Sequence, residues 1–172
     1  MRKTQHGFTL VEILAALAVV AILVGIATPS LRQFSANSRT TAATNSLVTA
    51  LATARSEAIR RSVPVSVCSS SNSQTCADST TWSSGWIVFT DASGTAGELD
   101  GSDVLLQAWP APGSNMTVSS SANYLQYNAR GLANLPAAIT FNTYVSGCRG
   151  PNKTQIVVTV GGSPQNTHIA CP

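Results

Sequence analysis

Charge is scarce in this sequence: of 172 residues only 10% are Asp, Glu, Lys or Arg, and the formal net charge is +3. Serine, threonine, asparagine, glycine and alanine fill the surface positions instead, which suits an extracellular or periplasmic setting. There is no dense basic stripe, so the composition gives no support to a dedicated nucleic-acid-binding domain. Histidine is nearly absent as well. Besides His6 there is only His168, close to the C-terminus, and no Gly-x-Ser-x-Gly segment occurs among the many serines. The usual means of activating a nucleophile are therefore missing, and no enzyme, catalytic residue or cofactor is expected. No Cys-x-x-Cys pair exists, so the cysteines lack the common spacing of a zinc site and no metal is expected. No internal repeat is evident. The length allows one domain beyond an N-terminal anchor, and not two comfortable cores.

What is present is concentrated at the N-terminus. Met1 to Gly7 is short and basic, and from Phe8 to Ala27 the chain is almost continuously apolar, with Glu12 as its single charge. Counted from Phe8, the run reaches the roughly 20 residues that a helix needs to cross a bilayer core. A carboxylate in hydrocarbon costs roughly 2.5–3.5 kcal/mol even on lenient insertion scales. No Lys or Arg follows Glu12 within helical reach. Cleavage between Gly7 and Phe8 would supply a counter-charge, an α-amino group with a pKa of about 8, one helical turn before Glu12. That amine neutralises Glu12 in its own chain or in a neighbour one position out of step. In the second geometry a buried charge sets the register between subunits. An ordinary secretory signal ending at Gly25-Ile26-Ala27, or a plain single-span anchor, gives no reason for Glu12. The mature N-terminus separates the signal reading from the first, starting at Thr28 and not at Phe8.

Gly7-Phe8-Thr9-Leu10-Val11-Glu12, followed by the long apolar run, resembles the class III signal of type IV pilins and type II secretion pseudopilins. The resemblance implies that Gly7 ends the leader, that Phe8 is the N-methylated mature terminus, and that Glu12, the fifth mature residue, serves assembly. Pro29, after Thr28, stands where such pilins often carry a proline. A proline lacks the amide hydrogen and clashes with the preceding turn, so a kink or local melting is expected there.

Beyond the anchor, Leu31 to Arg61 contains neither glycine nor proline, and Leu47, Leu51, Ala54 and Ala58 recur on one helical face. Glu57 and Arg61 form a favourable i, i+4 pair. One helix from Phe8 to Ser62 would measure roughly 80 Å. Pro64 stops it. Strand-like segments follow from Val63 to Cys68, Gly85 to Thr90, Val104 to Trp109, Met116 to Ser119, Tyr124 to Asn128, Ala138 to Asn142 and Gln155 to Val160, separated by Gly, Pro, Ser and Asn. The expected fold is α+β, with a long N-terminal helix packed by its second half on an antiparallel β-rich head. The expected divisions are a cleaved leader at 1–7, a transmembrane and assembly helix at 8–29, its amphipathic continuation at 30–62, and a periplasmic or extracellular head at 63–172.

Cys68, Cys76, Cys148 and Cys171 all follow the apolar segment. In an exported chain an even count favours disulfides, and four cysteines allow three pairings. The expected pairing joins Cys68 to Cys76 around a Ser-rich loop and Cys148 to Cys171 at the last hairpin. The acidic segment from Asp91 to Asp103 does not follow an EF-hand, because Ser93 and Thr95 hold ligand positions and Ser102 the twelfth. A solvated turn is expected. Trp82, Trp86 and Trp109 are expected in the core or at its edge.

The head carries a resemblance of its own. Ala54 to Arg61, the Val-Cys strand, Trp82-Ser83-Ser84-Gly85-Trp86-Ile87-Val88-Phe89 with Asp91, and Tyr127-Asn128-Ala129-Arg130-Gly131 resemble the signature of the GspH, FimT and FimU group of minor pilins and pseudopilins. The Ser-rich two-cysteine loop and the C-terminal cysteine bring it nearest to the FimU branch. The resemblance implies a pilin-like fold and a minor type IV pilin, processed by prepilin peptidase and built into a pilus tip or priming complex for twitching or adhesion. The implied partners are the major pilin and other minor pilins, met through the N-terminal helix. The implied location is the inner membrane, single-pass with a periplasmic head, and the pilus after assembly. A type II secretion pseudopilin shares the fold and processing. A third alternative is DNA uptake, since the FimT branch carries a basic Gly-Arg-x-Arg motif. Here Gly161-Gly162-Ser163-Pro164 stands near the final turn, and Arg149 and Lys153 form the nearest basic loop. Two such charges supply only weak, salt-sensitive phosphate contacts.

Overall fold

The computed structural model describes residues 9–134 and 136–172, with the backbone alone at 26–30 and 32. Helix α1 runs from Leu10 to Arg61. Thr9 caps its start: the Thr9 hydroxyl accepts a hydrogen bond from the Glu12 amide at 3.3 Å, and the Ile13 amide bonds the Thr9 carbonyl. The helix stops because Ser62 adopts a left-handed φ of 56° and Pro64 cannot continue the hydrogen-bonding. Two compact units divide the chain between Ser35 and Ala36. In the first, Leu10, Val11, Leu14, Leu17, Val19, Val20, Ile22, Leu23 and Val24 are all exposed. A helix that is apolar on every side is stable only when something else surrounds it. Among the described residues no helix is long and apolar enough to cross a membrane.

Among the described residues the second unit holds eight strands, β1 (Val65–Ser69), β2 (Gly85–Thr90), β3 (Leu105–Pro110), β4 (Met116–Ser120), β5 (Tyr124–Tyr127), β6 (Ile139–Val145), β7 (Lys153–Val158) and β8 (Pro164–Ile169). They form two antiparallel sheets, ordered β3-β2-β1-β5 and β4-β6-β7-β8. The helix stripe lies in the core, where Leu47, Leu51, Ala54 and Ala58 are fully buried with Val65, Val67, Trp86, Val88, Phe141, Ile156 and Val158. Trp82 closes this core with an edge-to-face contact to Phe141 at 5.0 Å. Trp109 is half-buried at its margin. A buried hydrogen bond of 2.6 Å between the hydroxyls of Thr44 and Thr143 fastens α1 to β6.

The two sheets are buried differently. In the second, β6 and β7 alternate between buried and partly exposed residues, as one-sided packing requires. In the first, β1 and β2 are buried on both faces: Val65, Val67, Trp86 and Val88 face the helix-side core, while Cys68, Ile87 and Phe89 form a separate cluster with Cys76 and Leu99. Two loops therefore cover the outer face of the first sheet, the Cys68–Cys76 loop and the acidic segment. Strand β8 has no counterpart among the strands expected from sequence. Its Pro-Gln-Asn-Thr-His-Ile is polar and mostly exposed, and only pairing with β7 across the Gly161-Gly162 turn makes it a strand.

Candidate functional site

Gly7 and Phe8 lie outside the described residues. Glu12 occupies the third position of α1, one turn after its cap, an exposed acid in the first turn of the helix. There it complements the positive end of the helix dipole. Thr9-x-x-Glu12 is also a capping-box spacing, a local reason for an acid at this position that needs no second subunit. Of the kink or local melting expected at Pro29, melting is absent from the backbone, since α1 continues through that position. The Pro29 side chain lies outside the described residues.

The acidic segment is not the freely solvated turn expected. Asp91 is buried, and its Oδ2 accepts hydrogen bonds from the Ser66 hydroxyl, from the Gly97 amide at 2.8 Å and from Gln126 Nε2 at 2.8 Å. Three donors from β1, the loop and β5 thus converge on one carboxylate oxygen, the arrangement that lets a buried acid persist. Gln126 passes the connection on, since its Oε1 accepts from Asn134 Nδ2 at 2.9 Å. Within the loop, Asp103 Oδ1 accepts from the Ala92 and Ser93 amides, and Asp100 Oδ2 from the Thr95 amide. These carboxylates are turn caps. Among the described residues no group of three or more His, Cys, Asp or Glu is arranged to hold a metal.

Beside this loop lies a cleft of about 250 Å³, lined by the Cys68–Cys76 disulfide, Asp78, Gly97, Glu98, Leu99, Asn123 and Tyr124. Gly97 has a φ of 86°, and a side chain there would run into the Tyr124 ring at 2.3 Å. Only glycine lets the loop backbone lie against that ring. Asp78 accepts a hydrogen bond from Asn123 Nδ2, and its carboxylate remains exposed.

A second junction gathers three sequence segments that lie far apart in the chain. Arg55 of α1 donates from Nε to the Gly131 carbonyl at 2.9 Å and from Nη1 to the Ser163 hydroxyl at 2.7 Å. It ties the helix to the turn after β5 and to the β7–β8 turn. Tyr127 is fully buried here, and burial raises its phenol well above the usual range, although Arg55 acts in the opposite direction. Further along the helix, Glu57 accepts from both Arg60 and Arg61. Those bonds, from Arg60 first and then Arg61, lower its pKa and raise that of Arg60.

Disulfides join Cys68 to Cys76, with Cα atoms 5.6 Å apart, and Cys148 to Cys171, with Cα atoms 6.0 Å apart. The second pins the β6–β7 turn, where the Cys171 amide also bonds the Gly150 carbonyl at 3.0 Å. Arg149 is exposed on that turn. Lys153 opens β7 with Nζ 5.8 Å from the Tyr144 ring centre. The two bases share that turn. The sequence placed Arg55 and Asp91 within the segments that resemble a family signature, but gave neither of them a structural role.

A family model described as type II transport protein GspH matches residues 43–163, and one for the prokaryotic N-terminal methylation motif matches residues 2–28. No curated protein matches the chain. Two crystal structures of the type IV minor pilin FimU of Pseudomonas aeruginosa (strain PAO1) are similar to it. The one in space group P65 is 20% identical with a TM-score of 0.56, over 74% of this chain and 91% of that chain. The one in space group P21 is 19% identical with a TM-score of 0.56, over 84% of this chain and 92% of that chain. At such identities the likeness is one of fold.

Proposed function

The chain belongs to the GspH family of type II transport proteins, and on that premise we propose that it is a minor pilin of a type IV pilus, built into a tip or priming complex. Prepilin peptidase removes Met1 to Gly7 and the new Phe8 is N-methylated. Phe8 to Pro29 then holds the chain in the inner membrane, with the head on the periplasmic side, until assembly withdraws it into the fibre. The observation that carries this reading is the apolar surface of α1 from Leu10 to Val24, joined in one chain to a methylation motif. Such a helix is at home in lipid or among like helices, and those are the two environments a pilin occupies in turn. Glu12, beyond its part in the helix start, pairs with the terminal amine of a neighbouring subunit. The role proposed is structural.

A second reading, a pseudopilin of a type II secretion system, is favoured by the family's description. Gene deletion separates the two. Loss of surface pili and twitching supports the pilus, whereas loss of enzyme export with pili intact refutes it in favour of secretion. Mass spectrometry of the membrane-extracted chain tests the processing, and a mature terminus at Thr28 would discard the pilin reading. Incorporation of a Glu12→Gln chain into fibres at the parent's level would remove the proposed pairing.

A further inference from the structure

The helix stripe that buries Leu47, Leu51, Ala54 and Ala58 continues toward the N-terminus with the same spacing and a different chemistry, as Thr44, Thr40 and Asn37. Across from it stand Thr143 of β6 and Thr154 of β7, and all four threonines are buried. Buried hydroxyls persist where they are hydrogen-bonded, and these have partners. Thr40 donates to the Ala36 carbonyl at 3.2 Å, Thr44 and Thr143 share their bond, and the Thr154 hydroxyl lies 3.3 Å from His168 Nδ1. Asn37 breaks the pattern: its Oδ1 is buried with no hydrogen-bond partner. It stands at a cleft of about 220 Å³ lined by Asn37, Thr40 and Thr41 of α1, Pro151 and Asn152 of the β6–β7 turn, Thr154 and His168.

We propose that this cleft binds one neutral sugar ring. Among the described residues lining it there is no carboxylate, ammonium or guanidinium group, so recognition there does not run on charge pairing. Every lining side chain except Pro151 carries a hydroxyl, an amide or an imidazole. The ligand that matches is edged with hydroxyls and has only a small apolar face. A ligand hydroxyl supplies the donor that Asn37 Oδ1 lacks. His168 offers its second ring nitrogen, the first being at Thr154. Asn152 Nδ2 donates to the Arg149 carbonyl, which leaves Asn152 Oδ1 as a further acceptor. The volume is below the roughly 300–1,000 Å³ of drug-sized pockets, room for one ring and not for a chain. The walls are set beforehand, because the Cys148–Cys171 disulfide and the bond from the Cys171 amide to the Gly150 carbonyl hold the turn. Thr41 and His168 are exposed, so the cleft opens to solvent. The site adds a ligand to the structural role and does not depend on whether that role is in a pilus or a secretion pseudopilus.

The test uses the full chain, labelled with nitrogen-15 and held in a detergent without a sugar head group. It is titrated with glucose, galactose, mannose and N-acetylglucosamine and followed by nuclear magnetic resonance. At least one sugar should shift the side-chain amides of Asn37 and Asn152 and the backbone amides of Thr41 and His168 saturably, with a Kd of about 1–10 mM. Asn37→Leu keeps the size of the side chain and removes the orphaned acceptor. It should weaken binding at least about tenfold while the melting temperature holds or rises, because no bond within the chain is lost. Thr41→Met, at an exposed position, fills the mouth of the cleft without touching the buried threonines and should abolish the shifts. No saturable shift with any of the four sugars, shifts scattered over the head away from the cleft, or binding that survives both substitutions would each overturn the proposal.

Discussion

Replacing Asp91 with alanine removes the one acceptor on which the Ser66 hydroxyl, the Gly97 amide and Gln126 Nε2 converge. Each buried donor left without a partner costs about 1–3 kcal/mol. The sum is not fully additive, because Gln126 also approaches the Asp91 carbonyl at 3.5 Å and the emptied site can admit water. A net loss of about 3–4 kcal/mol is expected, equivalent to a fall in melting temperature of roughly 10 °C for a domain of this size. The assay is thermal unfolding of the full chain in detergent, followed by near-ultraviolet circular dichroism, for which the buried Trp82 and Trp86 are built-in reporters. Hydrogen exchange adds a local test: the Gly97 amide should lose protection before those of β2, since its partner has gone. Asp91→Asn should fall between parent and alanine, because it keeps one acceptor oxygen but turns an amide toward the donors. An Asp91→Ala chain melting within about 2 °C of the parent, with Gly97 protection unchanged, would refute the reasoning, since it would mean less than about 1 kcal/mol rests on those three bonds.

Two further outcomes can be checked in the same way. Leu51→Ala, at a fully buried helix position, should cost about 2–5 kcal/mol, whereas Val160→Ala, at an exposed position in the β7–β8 turn, should change stability by no more than about 0.5 kcal/mol. Glu57 has its carboxyl pKa lowered in the folded state by Arg60 and Arg61, so its contribution is present above the ordinary carboxylate value and fades as pH falls through the lowered one. The melting-temperature difference between parent and Glu57→Gln should accordingly be small but measurable at pH 7 and should shrink as the pH falls below the ordinary carboxylate range. A difference that grew on acidification would contradict the sign.

The parts of this molecule that could be read in advance are those governed by neighbours along the chain. A gap-free run without glycine or proline from Leu31 to Arg61, with Leu47, Leu51, Ala54 and Ala58 recurring on one side, marks a helix and its buried face, and the structure buries all four. The continuous apolar stretch Trp86 to Phe89 marks a strand covered on both faces, as it is. Strand β8 could not be read, because its polar residues are extended only through the ladder with β7. The acidic segment misled for a related reason. Asp91, Asp100 and Asp103 look alike in a string of letters, yet the first is buried under three donors while the other two cap the loop's own amides.

Sequence by itself determined the long helix, the apolar surface along its first half and the motif at its start, because helix propensity, hydrophobic period and processing signals act over a few consecutive residues. Tertiary structure alone decided that Arg55 would join Gly131 and Ser163 and that two loops would roof the outer face of the first sheet. Those features depend on which residues distant along the chain become neighbours in space. A hydrogen bond or a charge pair has no meaning until the packing of helix and sheets has brought its two ends within a few ångströms.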